Sequence, residues 1–402
     1  MAHGTIKAQL SMKIPITKPV FGPEEREAVV KPLETGWVVQ GPFVAEFEKK
    51  FSAFSGAGHS VATSSCTTAM HIAVAALGLK PGDEVIVPAF TWVSTPNVVE
   101  YMGATPVFCD IDLDTFNLNV TQAAALVTPK TVGLFPVHLF GLCADMDPIM
   151  DLARRHGLWV VEDAACGFNS WYKGRHCGSF GDAGCFSFHP RKAITTGEGG
   201  MLTTASAEMA SLSRSLRDHG ASRSDHARHH ANAAFLLAEY DRVGFNFRLT
   251  DIQAAVGCVQ MDRAKWIGEE RSRVARHYDE VLKRFDWLAP PQVAAGYQHG
   301  YQAYVCLFRP EAPAMANVAR LNEWRNRLMT RLEERGVSTR QGTHAPVLQG
   351  FYRTKYHIAA EAFPNATIGD RLSLTLPLYP GMTSEELDYV VSELAQAFDA
   401  TR

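Results

Sequence analysis

Short runs of apolar and β-branched residues alternate with helical segments between about residue 62 and residue 204. Such alternation is typical of a mainly parallel sheet that is covered by helices. The runs are almost continuously apolar, so we expect strands that are buried on both faces. The predicted strands are Glu84–Pro88, Thr105–Cys109, Val132–Val137, Trp159–Glu162, Gly184–Phe188 and Met201–Thr204. The pattern therefore predicts the sheet of a catalytic α/β domain.

Helical signals lie between these runs and after them. Asp147 can cap a helix that runs to His156, and Pro148 fits its first position. A polar stretch follows the sheet, and a long helical region is predicted from about Thr250 to Phe285.

The sequence predicts a smaller structural unit in the C-terminal part of the chain. A capping box, Thr383-x-x-Glu386, predicts the start of its last helix. We expect two domains, with an N-terminal arm and a large α/β domain in residues 1–261 and a small domain in residues 262–402.

Charge and composition exclude several classes of protein. The 402 residues include 39 Lys and Arg against 42 Asp and Glu, a net charge of −3. This balance argues against a general nucleic-acid binder, whose affinity depends on neutralising phosphates. The first 19 residues lack an apolar leader, and no apolar run approaches the roughly 18 residues of a membrane span. We expect a cytoplasmic protein that binds neither nucleic acid nor membrane.

The eight cysteines include no CxxC pair and no spacing of the zinc type. Free and mostly buried thiols are therefore expected, without a disulfide framework or a metal site. Four histidines between Arg217 and His230 could suggest a metal cluster, but they lack acidic partners at ligand spacing, and a solvated loop is the better interpretation.

Two motifs sit where strands are predicted to end. Small hydroxyl residues at Thr63–Thr68 precede a helix, and unpaired N–H groups there could cradle a phosphate, although Ser and Thr also cap helices generally. Asp163 ends a buried strand, where ligands of open α/β sheets bind. A carboxylate there needs a metal, a cation or a protonated heterocycle, unless it caps the next helix.

A third motif is Ser187-Phe188-His189-Pro190-Arg191-Lys192, which leads into a turn with the sequence TTGEGG. Lys192 is placed to form a Schiff base, although most lysines simply lie at the surface. The glycine pattern is neither GxGxxG nor that of a P-loop, which disfavours nicotinamide and nucleoside-triphosphate sites.

These motifs together satisfy one cofactor. Pyridoxal phosphate needs hydroxyls and amides for its phosphate, an aromatic face such as Trp92, a carboxylate such as Asp163 for its ring nitrogen, and an amine such as Lys192 for its aldehyde. The ordered set of residues satisfies all four needs.

Nearly the whole chain resembles the sugar-nucleotide aminotransferases of the DegT/DnrJ/EryC1/StrS type, which belong to the fold-type I pyridoxal-phosphate enzymes. An α/β fold with a large, mainly parallel sheet and a smaller C-terminal α/β domain is implied. The resemblance rests on the motifs GWVVQGP (36–42), PAFTWVST (88–95), VVEDAA (160–165), CFSFHPRKAITTGEGGM (185–201), GFNFRLTDIQAAVG (244–257) and LPLYPGMT (376–383).

The resemblance also implies roles for individual residues. Lys192 would be the Schiff-base lysine and general base, and Asp163 would hold the pyridinium proton. Trp92 would stack on the ring. Asn246 would reach the phosphate from a partner subunit, which implies a homodimer with shared sites. The positions that match the phosphate site in the same chain are Cys66 (through its backbone), Thr67 and Ser187.

The chain departs from the family pattern at two cysteines. Cys66 stands where glycine is common, and Cys166 stands where glutamine or histidine usually touches the 3′-oxygen of the cofactor. A thiol is a weak hydrogen-bond partner, so that contact is not carried over. Some relatives replace the lysine with histidine and catalyse dehydration; the intact Lys192 favours transamination.

The resemblance implies a reaction in which L-glutamate supplies an amino group to a keto-sugar, a nucleotide-linked 4-keto or 3-keto deoxyhexose. The shared motifs also fit a non-nucleotide acceptor, such as a keto-octulosonate or a cyclitol ketone, and a non-catalytic protein that binds pyridoxal phosphate. His189 could face the substrate or be structural. Arg340 to His344 occupies a segment that approaches the sugar-nucleotide site in the family.

Overall fold

The computed structural model describes residues 12–222 and 238–402. Its strands are β1 His59–Thr63, β2 Glu84–Pro88, β3 Thr105–Cys109, β4 Thr131–Leu134, β5 Trp159–Asp163, β6 Trp171–Tyr172, β7 Arg175–His176, β8 Ala183–Ser187, β9 Gly200–Thr204, β10 Leu288–Ala289, β11 Tyr297–Gln298, β12 Tyr304–Phe308 and β13 Ser373–Leu376. The six predicted strands all exist, two with the predicted bounds and the others within three residues of them. Seven further strands, β1, β6, β7 and β10 to β13, were not predicted; β1 is paired along one edge only.

The main sheet of the described chain has seven strands in the order β1-β9-β8-β5-β4-β2-β3. Strands β8, β5, β4, β2 and β3 run parallel, as their pairings show. Strand β9 is antiparallel to both of its neighbours because no crossover helix separates it from β8. The predicted α/β fold with a mainly parallel sheet is confirmed.

The helices are α1 Pro23–Thr35, α2 Pro42–Ser55, α3 Cys66–Ala76, α4 Ser94–Tyr101, α5 Val120–Ala125, α6 Met146–His156, α7 Ala207–Arg217, α8 Asp251–Asp262, α9 Ala264–Val281, α10 Val318–Glu334, α11 Gly350–Lys355, α12 Pro364–Leu372 and α13 Ser384–Thr401. The predicted cap of α6 is wrong. The helix begins at Met146 with Asp145 at the cap position, so Asp147 and Pro148 lie in its first turn.

The predicted helical region after residue 250 is two helices, α8 and α9, which meet at Arg263. Thr383 caps α13 as predicted, with Glu386 completing the capping box. A three-stranded sheet, β10-β12-β13, lies in the C-terminal part of the chain. The division into residues 1–261 and 262–402 stays a prediction.

Candidate active site

The carboxyl ends of the parallel strands meet at one edge of the main sheet, and the predicted site residues follow these ends. Thr63 and Ser187 both pair with Gly200, so the ends of β1 and β8 lie in one row across β9. Asp163 ends β5 and pairs with Cys185 of β8. Ligands of open α/β sheets bind at this edge. The topology therefore assembles the cradle, the acid and the hydroxyl in one place.

Asp163 is almost completely buried, with 3% of its surface exposed. Its Oδ2 accepts a 2.7 Å hydrogen bond from the Thr95 hydroxyl, and its Oδ1 accepts a 3.1 Å bond from the Ala165 N–H. No lysine, arginine or histidine in the described ranges forms an ion pair with this carboxylate. Because a buried carboxylate is costly without a positive partner, the site fits a ligand with a protonated ring nitrogen.

Thr95 was missed as a functional residue by the sequence reasoning, although it lies in the motif PAFTWVST. It stands in the first turn of α4, three residues after Trp92, and its hydroxyl also lies 3.2 Å from that of Thr91. No local pattern singles out this hydroxyl, because its contact with Asp163 spans 68 residues of the chain.

Lys192 lies in the turn that follows β8, and its Nζ donates a 3.2 Å hydrogen bond to the Sγ of Cys166. Burial alone would lower the pKa of Lys192, but the neighbouring Cys166 and, after it, the charge of Asp163 outweigh burial and raise the pKa. The contact places Cys166 beside the Lys192 amine.

The N-terminus of α3 forms the predicted phosphate cradle. Ser65 caps the helix by accepting a bond from the Thr68 N–H, which leaves the first-turn N–H groups of Cys66 and Thr67 without partners inside the helix. A Cβ on Gly200 would lie 2.3 Å from the Ser65 carbonyl carbon, so only glycine lets β9 approach the helix this closely. Such an N-terminus suits a phosphate group.

Cys66 itself is buried within this cradle. Its thiol donates a 3.3 Å bond to the Cys185 carbonyl, and burial, above all, raises its pKa well above the ordinary value. The side chain therefore stays protonated and packs away from the ligand space, so that only its backbone N–H is available to a phosphate. The cysteine is thus compatible with the predicted phosphate site.

Trp92 and the segment Arg340 to His344 lie against each other. The Trp92 ring, 56% exposed, stands edge-on to His344 with a centroid distance of 5.6 Å, and the Thr91 N–H donates to the His344 carbonyl. The predicted substrate segment is thus brought next to the predicted stacking residue.

Asn246 lies at the surface, beside a backbone contact with the phosphate cradle. The neighbouring Phe247 carbonyl accepts a 2.9 Å bond from the Ser64 N–H, and Asn246 forms an isolated bridge with Asp218. His219, in the same region, has a left-handed backbone with φ of 58°. The other three histidines of the predicted loop, at 226, 229 and 230, lie outside the described residues.

His189 has a structural contact at the turn. Its Nδ1 accepts a 3.2 Å bond from the Arg191 N–H, and its carbonyl accepts a 2.8 Å bond from the Lys192 N–H. Burial lowers the pKa of His189, so the ring is neutral and can accept this bond. These contacts favour a structural role for His189 over a role in which it faces the substrate.

The buried pair of Glu162 and His138 lies next to Asp163 and fixes the end of β5. The carboxylate of Glu162 lies 2.8 Å from the Nε2 of His138 and accepts bonds from the N–H groups of Gly178 and Phe180. Burial alone would raise the pKa of Glu162, but these bonds outweigh it and lower the pKa. The next residue, Asp163, is therefore presented from a strand end with little freedom.

Cys166 is expected to be the first thiol to react with iodoacetamide. The other seven cysteines are buried, whereas Cys166 is half-buried and lies beside Lys192. Peptide mapping after a short exposure should find the label on Cys166, and bound pyridoxal phosphate should slow the reaction. Cys166→Ser should remove this early labelling; early labelling of a buried cysteine instead would contradict the described packing.

The geometry defines a class of enzyme: an α/β protein whose sheet edge carries a phosphate cradle, a buried acid and a lysine in the order that pyridoxal-phosphate enzymes of fold-type I require. The comparisons then identify the family. The chain matches the DegT/DnrJ/EryC1/StrS aminotransferase family over residues 19–395, and it belongs to that family. The predicted pyridoxal-phosphate-dependent aminotransferase is thereby confirmed, as is the fold.

Two relatives are similar to this chain over almost their whole length. The spore coat polysaccharide biosynthesis protein SpsC of Bacillus subtilis is 37% identical over 379 residues, covering 94% of this chain and 95% of that protein. The GDP-perosamine synthase of Caulobacter vibrioides is 37% identical over 386 residues, covering 96% and 98%. The solved PMP-form of Spr1654 from Streptococcus pneumoniae is 26% identical, with a TM-score of 0.89 over 97% of this chain and 100% of that one.

No helix in the described ranges is long and apolar enough to cross a membrane.

Proposed function

We propose that this chain transfers the amino group of L-glutamate to a keto-sugar, and that the acceptor is a nucleotide-linked 4-keto or 3-keto deoxyhexose. The observation that carries the proposal is the meeting of buried Asp163, Lys192 and the N-terminus of α3 at one edge of the sheet. The relative named GDP-perosamine synthase supports a nucleotide-linked acceptor.

In this proposal each residue acts on a different part of the cofactor. When bound, pyridoxal phosphate supplies an aldehyde carbon that exchanges amino groups and a ring that delocalises negative charge. Asp163 holds the proton on the ring nitrogen, and Thr95 orients that carboxylate. Lys192 moves the proton at the substrate carbon that gains or loses the amino group.

The remaining predicted residues bind and orient. The N–H groups of Cys66 and Thr67 and the Ser187 hydroxyl bind the phosphate, which fixes the register of the cofactor along the sheet edge. Trp92 covers the open face of the ring and excludes water from it.

Two arginines support an anionic substrate. Arg191 precedes Lys192, and Arg340 begins the segment that leads to His344 next to Trp92. Burial and, after it, the charge of nearby Arg191 lower the pKa of Arg340, and no carboxylate in the described residues forms an ion pair with either arginine. A free pair of guanidinium groups suits the carboxylates of glutamate or the phosphates of a nucleotide.

The acceptor is tested by turnover with glutamate and four purified ketones: a nucleotide-linked 4-keto deoxyhexose, its 3-keto isomer, a keto-octulosonate and a cyclitol ketone. We expect turnover with one or both of the nucleotide-linked sugars. Turnover with only a non-nucleotide ketone would overturn the proposed acceptor while leaving the aminotransferase intact. Retention of bound cofactor without any turnover would instead favour a binding role.

We further propose a cytoplasmic homodimer in which Asn246 completes the partner's phosphate site. The Asn246 side chain is exposed and so is accessible to a partner subunit, and the resemblance to the family implies this role. The neighbouring Phe247 contacts Ser64 of its own chain. The eight unpaired cysteines fit a reducing compartment.

Mixed dimers test whether Asn246 is shared. Asn246→Asp, which sets a carboxylate against the phosphate, and Lys192→Ala should each be inactive alone. After the two are unfolded and refolded together, about a quarter of the wild-type activity is expected, because half of the dimers are mixed and each of these has one complete site. If Asn246 serves its own chain, mixing should recover no activity.

A further inference from the structure

Arg271 is a fully buried arginine whose contacts lead to the catalytic turn. It lies on α9, and 1% of its surface is exposed. Its Nη1 donates to the carbonyls of Tyr301 and Gln302 at 3.0 and 3.2 Å, and its Nη2 donates to the Lys192 carbonyl at 3.4 Å. One guanidinium group therefore joins the helix, the segment before β12 and the turn that carries the reactive lysine.

This guanidinium has no acidic partner among the described residues, and its Nε has no hydrogen-bond partner there. Burial lowers the pKa of Arg271 to about 10, so the group still carries its charge at neutral pH. A buried cation without a carboxylate is costly, and a core of this size could be filled by an apolar side chain. The three bonds that the guanidinium donates to backbone carbonyls are contacts that an apolar side chain could not make.

The turn around Lys192 needs external support because it has no regular secondary structure. The Lys192 N–H donates to the His189 carbonyl, and the carbonyl of Lys192 accepts from Arg271. A second link runs in parallel, since the Gln302 side chain donates a 2.9 Å bond to the Arg191 carbonyl. The turn is thus tied twice to the segment 301–302.

That segment is itself held in a rigid conformation. Tyr301 has a left-handed backbone with φ of 45°, which is unfavourable for a residue with a bulky side chain. Its N–H donates to the Nδ1 of His299 at 2.8 Å, and a Cβ on Gly141 would lie 2.8 Å from the Tyr301 nitrogen. The carbonyls of Tyr301 and Gln302 therefore offer Arg271 a fixed frame.

We propose that Arg271 is a positioning residue that ties the Lys192 turn to the segment 301–302 and so sets the place of the reactive amine. The planar fork of arginine can reach carbonyls of both segments at once, which the single ammonium of lysine cannot. The inference rests on the proposed role of Lys192 in transamination.

The test compares Arg271→Met with Arg325→Met. Arg325 is a matched control because it is also buried, has its pKa lowered to about 10 by burial, and donates to a carbonyl, that of Ser373 at 2.8 Å, away from the Lys192 turn. Its Nη2 also lies 3.4 Å from the Oε1 of Gln341 in the predicted substrate segment, so cofactor affinity and the pH midpoint, both measured without substrate, are the deciding comparisons. For each variant we would measure the unfolding temperature, the dissociation constant of pyridoxal phosphate, the pH midpoint of the visible cofactor absorbance, and kcat and KM for glutamate.

We expect both substitutions to lower the unfolding temperature, but only Arg271→Met to shift the pH midpoint and to change cofactor affinity and kcat, by about 10- to 100-fold, with KM for glutamate nearly unchanged. Equal, small effects of the two variants on cofactor affinity, kcat and pH midpoint would overturn the proposal and leave Arg271 a structural residue.

Two milder variants keep the test decisive if Arg271→Met fails to fold. Arg271→Lys retains the positive charge but loses the planar guanidinium group, so its kcat should be as low as that of Arg271→Met. Gln302→Ala removes only the link to Arg191 and should weaken cofactor binding in the same direction, by a smaller factor; wild-type behaviour of both would overturn the proposal. Cofactor affinity is measured without glutamate, so this comparison does not depend on transamination. If the wild-type enzyme binds the cofactor but does not react with glutamate, that result contradicts the proposed function and leaves the role of Arg271 to be decided by cofactor affinity.

Discussion

Lys192→Ala is expected to reduce transamination by about 10³-fold or more, because the variant loses the group that moves the proton at the reacting carbon. The Nζ of Lys192 contacts Cys166 at the sheet edge, and no other lysine is placed there by the sequence motif. Steady-state kcat with glutamate and the accepted keto-sugar is the measurement, made with saturating cofactor.

The fold should survive this change, since alanine in an irregular turn leaves the strands on both sides intact. Lys265→Ala is the matched control, because the Lys265 side chain is 89% exposed and forms only a weak ion pair with Glu269. We expect wild-type kcat for the control. Near-normal kcat in Lys192→Ala would show that another group carries the proton transfer.

Asp163→Asn should lower kcat by about 30- to 5,000-fold, the equivalent of the 2–5 kcal/mol that a truncated buried charge pair typically costs. The amide keeps the size of the side chain; its oxygen can accept from the Ala165 N–H while its NH2 group donates to the Thr95 hydroxyl oxygen, but it cannot hold a proton on the ring nitrogen. The defect should therefore fall mainly on kcat, with a smaller effect on cofactor retention.

Asp182→Asn is the control for this substitution. Asp182 lies just before β8, at the opposite edge of the sheet, and accepts a 2.8 Å bond from the Val160 N–H. The variant should keep wild-type kcat with a modest loss of stability. If Asp163→Asn retained a wild-type kcat as well, the ring nitrogen would not depend on this carboxylate.

Much of the fold could be predicted because buried parallel strands leave a clear mark in the sequence. Runs such as Glu84–Pro88 and Thr105–Cys109 are continuously apolar, and the structure has them with the predicted bounds. The start of α6 was less predictable, since Asp145 and Asp147 can both cap a helix and local sequence does not choose between them. The pairing of β9 with β1 joins distant parts of the chain, and no local pattern reveals it.

The site shows the same division. Asp163 and Lys192 follow strand ends, so sequence order alone places them at the same edge of the sheet. Thr95 and Arg271 were not assigned roles because each acts through a contact between distant parts of the chain: Thr95 with Asp163, and Arg271 with Lys192, 79 residues away. Such contacts follow from packing, which a single sequence does not display.

The most direct test of the proposed function is a half-reaction with L-glutamate on the purified protein loaded with pyridoxal phosphate, without any keto-acceptor. The visible absorbance of the cofactor and the released 2-oxoglutarate would be followed together. We expect the absorbance to fall, pyridoxamine phosphate to appear, and about one 2-oxoglutarate to be released per site. A protein that binds the cofactor yet releases no 2-oxoglutarate would contradict the assignment of glutamate as amino donor and of Lys192 and Asp163 as the residues that use it.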